Sequence, residues 1–386
     1  MTFDFISIIH QMHENVKPYL NQSGGNFMEY AFTTCLEERF HEEIRHAVTC
    51  FIRSDNIREI PVRVIHAGIR WIDTDDLAQF EDHVNLHAVL SADILSNEDG
   101  RRYHRTALLH AQLSGTFSRL FDDFSIVCTG MCRTLPQRRD RTFTEDLLFR
   151  NPETASDDAA VKLLERVYGY LYVHRRPTRI DPVYMARKLG LHLYAAHMPG
   201  TLPGEYSYLN SVGTFCSPRS EQCYRRELHG RSAVIAPEIA EMPERLRLAA
   251  MHMLVHDQIQ RYAFCLRAMY GRDPHLFPCA ARQEDPENGF AVRAEQQADR
   301  IAACAMMPKE AFMRKVEELY SRCRAFRTAD DVRFVIRQSA AFFGVPAAAA
   351  RERMLMLGFD GVPAMQAAPF CRGIPFQTSA LSRNST

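Results

Sequence analysis

The sequence predicts an α+β protein: a mainly helical N-terminal domain, then a domain in which short strands lead into a long helix. Three observations carry that expectation. The chain has 386 residues, enough for two or three domains. Residues 28–54 contain no Gly or Pro and repeat apolar residues at helical spacing. From residue 181, a capped helix, short alternating segments between Pro-Gly turns and a long uninterrupted helical stretch follow one another.

Taken in order, IPVRVIHAGIRWI (60–72) alternates around Gly68 and predicts a strand pair or one bent strand. Asp73 or Thr74 is placed to cap a helix over DDLAQFEDHVNLHAVLSADIL, and a further helix is expected from Arg105 to Cys132. These elements make up a mainly helical domain over 1–135, with no role assigned. Residues 136–160 are polar and read as a linker, after which Asp157 or Asp158 caps a helix. A second domain is expected over 161–325. Its first helix, PVYMARKLG, is opened by Asp181-Pro182 and stopped by Gly190. LHLYAA, EYSYLN and SAVIAP then read as strands, before a helix from about Pro243. Residues 326–360 form a closing segment, and 361–386, rich in Pro, Ser and Gly, an expected disordered tail.

Composition narrows the function classes. Apolar residues make up 46% and charged residues 24%, as in folded globular proteins. Lys+Arg and Asp+Glu number 47 each, so no net field favours nucleic acid or an anionic membrane. The cluster Arg138-Arg139-Asp140-Arg141 is broken by an acid and reads as a solvated connection. The N-terminus carries Asp4 and lacks a basic leader, and no apolar run reaches the ~18 residues of a membrane span. A cytoplasmic protein without membrane partners is expected. The eleven cysteines are odd in number and scattered, which predicts free thiols rather than a disulfide framework. Cys128 and Cys132 lack the second pair that would make a zinc site of them.

The chemistry-bearing stretch is ERLRLAAMHMLVHDQIQRYAF. His252 and His256 stand four apart on a helix, so both imidazoles leave one face about a turn apart and can bind one zinc ion. The spacing alone is weak, because His83 and His87 repeat it and read as surface or partly buried histidines. Downstream, Glu295, Ala298, Ala302 and Met306 recur helically up to Pro308. An acid on that helix could face the histidines, although Glu295 by itself reads as a solvated helix residue.

These segments resemble the ImmA/IrrE metallopeptidase family. That family pairs A-H-E-x-x-H with a later helix E-x-x-A-N-x-x-A-A-x-x-L-M-P. Here the first reads Ala250-Met251-His252-Met253-Leu254-Val255-His256, and the second runs from Glu295 through Ala298, Asp299, Ala302 and Ala303 to Met306-Met307-Pro308. DPVYMARKLGLHLYAAHMPGTLPG resembles the family's first helix and strand, and SAAFFGVPAAAARERMLMLGF its closing helix-turn-helix-like segment. The likeness spans about residues 165–360. It implies a zincin-like domain with zinc ligands His252, His256 and Glu295, and a protein or peptide partner such as a transcriptional repressor. Met253 falls where the family has its general-base Glu, and residues 262–290 lengthen the connection between the two helices.

A general base is typically worth about 10²–10⁴-fold in rate. Met253 cannot supply it. Asp257 points about 100° away around the helix and reads as a surface or capping acid. Glu238, Glu241 and Glu244 reach the site only if their loop folds back. The resemblance therefore implies a catalytically impaired metallopeptidase-like protein that binds a repressor-like partner. The alternatives are an active zinc endopeptidase with a relocated base and, more weakly, a DNA-binding regulator using residues 330–359.

Overall fold

The computed structural model describes residues 32–55, 62–74, 77, 81–98, 100–132, 143–144, 147–148, 152–169, 179–199, 202–217, 222–270, 276–279, 289–323 and 328–359. The tail expected over 361–386 and about half of the linker expected over 136–160 lie outside these residues, and the linker's last part, from Pro152, is helical. The chain is mixed α+β with small sheets and divides into two compact units, 1–147 with 265–274 and 148–264 with 275–386.

In the first unit, helices α1 (Phe32–Arg39) and α2 (His41–Asp55) precede four strands: β1 (Val62–Ile72), β2 (His83–Glu98), β3 (Arg101–Thr116) and β4 (Ser125–Cys132). The strands form an antiparallel meander in the order β1-β2-β3-β4. β1 is one strand, bent by register shifts on both sides of Gly68. The expected mainly helical character is therefore corrected for the described residues. From His83 on, the helix predicted after Thr74 is strand β2, its start lying largely outside the described residues. The span from Arg105 to Cys132 holds β3 and β4, with a 3-10 turn at Phe117–Arg119 between them. The reason lies in period-two burial. Val84, Leu86 and Ala88 are buried and alternate with exposed Asn85 and His87, and Leu109, Ala111 and Leu113 with exposed His110 and Gln112. That alternation buries one face of a sheet and cannot be buried by a helix. Gly115 is required where it stands, because a Cβ there would lie 2.2 Å from the Phe121 ring.

In the second unit, α3 (Pro152–Tyr168) begins earlier than its expected cap at Asp157 or Asp158. α4 (Pro182–Leu189) begins where Asp181 accepts hydrogen bonds from the Val183 and Tyr184 amides, and ends at left-handed Gly190. Strands β5 (His192–Ala195), β6 (Gly204–Ser207), β7 (Ser211–Cys216), β8 (Cys223–Leu228) and β9 (Ser232–Ile235) follow. β7 and β8 form a separate hairpin absent from the sequence reading, in which the thiols of Cys216 and Cys223 face each other at 2.6 Å. After α5 (Pro237–Ala240) come α6 (Pro243–Gln258), α7 (Arg261–Met269), β10 (Leu276–Pro278) and α8 (Gly289–Met306). The division between the units falls inside α7. The sheet of this unit has the order β10-β6-β9-β5, with β5 parallel to β9 and the other pairs antiparallel.

α9 (Lys309–Tyr320), α10 (Ala329–Phe343) and α11 (Ala347–Met356) complete the unit. A Thr328–Asp331 capping box opens α10. Arg353 on α11 is fully buried. It pairs with Asp157, and its Nε donates to the Met307 carbonyl at 3.0 Å. Ala349, Ala350 and Met354 are buried beside it, so this face of the closing segment belongs to the domain core. Among the described residues, no helix is long and apolar enough to cross a membrane.

Candidate metal centre

α6 starts with Pro243 in its first turn and is buried on every side from Leu248 to Gln258. It packs against α8, α4 and the sheet. A helix apolar all round is a core helix, so the polar residues it carries are held in fixed surroundings. His252 and His256 are both fully buried on it. Their Nε2 atoms lie 2.8 Å apart.

α8 supplies the acids. Glu295 and Asp299, four residues apart, share one helical face. Glu295 Oε1 lies 3.1 Å from His256 Nε2, and its Oε2 lies 3.6 Å from His252 Nε2. Asp299 takes the other side of the first imidazole, with Oδ1 2.8 Å from His252 Nδ1. Gln260 does the same for the second, with Oε1 2.6 Å from His256 Nδ1. The Gln260 amide is oriented by its own Nε2, which donates to the Ala294 carbonyl at 2.8 Å and to Gln297 Oε1 at 2.9 Å.

Hydrogen-bond bookkeeping then fixes the tautomers. Both Nδ1 atoms face acceptors, so both donate. In the neutral rings both Nε2 lone pairs are aimed at the same point, beside a carboxylate. Glu295 Oε1 is buried and has no hydrogen-bond partner despite its closeness to His256. Lone pairs converging on a point with outer groups holding the rings is the arrangement of a metal site; otherwise a proton must sit there. Burial pushes the His252 imidazolium down, but the Glu295 and Asp299 carboxylates outweigh it and hold the pKa above the usual value. Burial and the His252 charge push His256 down. Glu295 is pushed up by burial, yet the two histidines bring it to about 2.

Cys279, just after β10, completes the cluster. The donor atoms of His252, His256, Cys279 and Glu295 all lie within 4.8 Å of one another, and the group could hold a metal ion. Among the described residues it is the only such group found. Burial and then Glu295 push the Cys279 thiol up to about 12. Tyr206, Phe264 and Phe277 wall the His256 ring at centroid distances of 5.9, 5.5 and 5.4 Å.

The structure thus brings His252, His256 and Glu295 together. Met253 is buried beside them, its Sδ 3.7 Å from Cys279 Sγ. The other acids weighed in the sequence lie elsewhere. Asp257 is not a surface or capping acid: it is buried and held by Arg231 at 2.7 and 2.9 Å and by the Tyr206 hydroxyl at 3.1 Å. Glu241 and Glu244 are exposed, and exposed Glu238 faces His197 at 3.3 Å. His83 and His87 are exposed on β2. Sequence reasoning missed Gln260, Asp299 as an orienting group, Cys279 and Glu205. Glu205, on β6, is opposite Pro278; burial pushes its carboxyl up, and its Oε2 is buried without a partner. The i,i+4 spacings His256–Gln260 and Glu295–Asp299 were available as signals; Cys279 and Glu205 had none.

Compared with known families and proteins, the sequence matches no family model and no curated protein.

Proposed function

We propose that the protein is a zincin-like, ImmA/IrrE-type metallopeptidase relative that holds zinc but is impaired in hydrolysis, and that it acts in the cytoplasm by binding a protein partner such as a transcriptional repressor. The observation that carries this reading is the convergence of the His252 and His256 lone pairs with the Glu295 carboxylate, with Met253 at the general-base position. Two nitrogens and one carboxylate oxygen suit zinc. A bound zinc ion supplies Lewis-acid polarisation and, at an open position, an activated water. Asp299 and Gln260 hold the rings for that task, while the Met253 thioether can take no proton.

The test is elemental analysis of purified full-length protein with a peptidase assay beside it. The expected result is about one zinc per chain, lost in His252→Ala, and no chelator-sensitive hydrolysis of casein. A metal-free wild type would overturn the ligand assignment. Chelator-sensitive hydrolysis would replace impairment by the second reading, an active endopeptidase with a relocated base. Glu205 favours that second reading, because its half-buried carboxyl is raised by burial and its Oε2 has no hydrogen-bond partner. Under it, Glu205→Gln abolishes the hydrolysis.

A further inference from the structure

We propose that Cys279 is a fourth protein ligand to the metal, so that the centre is closed to water and built for holding the ion. This rests on His252, His256 and Glu295 being ligands, and goes beyond it by assigning the position a catalytic water would need.

Four observations converge on it. The Cys279 thiol is fully buried and belongs to the same tight donor group as the two histidines and Glu295. Its backbone is fixed, since the Cys279 amide donates to the Gly204 carbonyl at 2.9 Å. Glu295 Oε1 is buried and, although 3.1 Å from His256 Nε2, makes no hydrogen bond of acceptable geometry, so it is an acceptor that a cation in that group would satisfy. Met253 provides an apolar neighbour for the sulfur at 3.7 Å. A glutamate there would add a second buried carboxylate beside the sulfur, which already shares the donor group with Glu295.

The strand that delivers Cys279 adds a second level of closure. Without β10, β6 would be the edge of the β6-β9-β5 sheet. β10 pairs with it through Leu276↔Ser207, Phe277↔Tyr206 and Pro278↔Glu205. An extended peptide adds to a free sheet edge in just this manner. Here a segment of the same chain occupies the edge, and the next residue reaches the metal group. Four protein ligands define structural zinc sites, whereas catalytic ones keep three and an open position. The distinction separates a holding centre from a hydrolytic one.

The test uses full-length protein loaded with zinc, or with cobalt(II) as a spectroscopic probe. Zinc K-edge fine structure of the wild type is expected to require one sulfur scatterer at ~2.3 Å beside nitrogen and oxygen. The cobalt form is expected to show a near-ultraviolet thiolate-to-metal band. Cys279→Ser should still bind cobalt and lose that band. His252→Ala should bind neither metal. Zinc bound with nitrogen and oxygen neighbours alone would overturn the Cys279 assignment and leave the three-ligand reading standing. Failure of the wild type to bind either metal would overturn both. The wild-type zinc spectrum decides the question even if the Cys279 variant does not fold.

Discussion

The thiol of Cys279 lies 3.7 Å from the thioether of Met253, both side chains fully buried. On the reading proposed above, this contact joins the residue at the family's general-base position to the residue that would fill the water position. Restoring only one of the two functions therefore leaves the other missing. Zinc-loaded Met253→Glu is expected to remain inert toward casein. Met253→Glu combined with Cys279→Ala is expected to gain chelator-sensitive hydrolysis, with the base contributing about 10²–10⁴-fold. A single Met253→Glu variant as active as the double one would mean that the fourth position is already open.

Asp299 holds His252 from outside, through Nδ1 at 2.8 Å. Loss of such an orienting partner typically costs about 10–100-fold in metal affinity. Asp299→Ala is expected to weaken zinc binding on that scale in competition with a chromophoric chelator. Asp299→Asn should retain more, because an amide oxygen still accepts from Nδ1. Equal losses in the two variants would argue for the acid's charge rather than its acceptor atom.

Proton release should accompany metal binding. In the metal-free protein the Glu295 and Asp299 carboxylates outweigh burial and favour the protonated His252 imidazole, and burial favours the protonated Cys279 thiol. Both protons must leave for the metal. Calorimetry in buffers of different ionisation enthalpy near neutral pH is expected to read about two protons per zinc, and affinity to fall as pH drops. Stability adds a second signature. The His252 pKa is raised in the folded state, so its stabilisation is complete below the unfolded value of ~6.5 and is lost as pH rises through the folded value. Glu295, lowered to about 2, contributes above its ordinary 4.5 and loses that contribution as pH falls through about 2. Denaturation midpoints of metal-free protein should therefore decline on the alkaline side, and those of zinc-loaded protein should not.

The pair Arg231–Asp257 predicts an asymmetry. The Asp257 side chain is completely buried, while that of Arg231 is 43% exposed. Arg231→Ala strands a buried carboxylate with only the Tyr206 hydroxyl and the Gln258 amide, and breaking such a pair costs about 3–5 kcal/mol. Asp257→Asn leaves an arginine that can turn toward water and should cost less. Urea midpoints of the two variants provide the comparison, and a larger loss in Asp257→Asn would contradict the burial argument.

Much of the second unit was legible in the sequence because its signals are local. Asp181, Pro182 and Gly190 bracket α4 by capping chemistry alone, and the His252–His256 spacing places two rings on one helical face. The first unit was misread for a physical reason. His83–Glu98 and Arg101–Thr116 contain good helix formers, and their period-two alternation is interrupted by Val89 and by small residues. Pairing on both sides along the sheet overrides local preference there. Asp257 was misread because its partner, Arg231, comes from the bend just before β9, far from α6 in sequence. Cys279 and Glu205 were invisible for the same reason: they meet only because β10 pairs with β6. Gln260 and Asp299 were readable in spacing, but what they orient becomes evident only once the rings face each other.

The shortness of β10 has a consequence for how two copies of the chain would meet. Its three residues form the outer rim of the sheet, and the last of them, Pro278, has no main-chain N–H to offer. Short, proline-bearing rims are poor templates for a neighbour's strand. The segment that brings Cys279 to the histidines therefore also guards this side of the sheet against aggregation, and deleting residues 276–278 would bare β6 as a sticky edge.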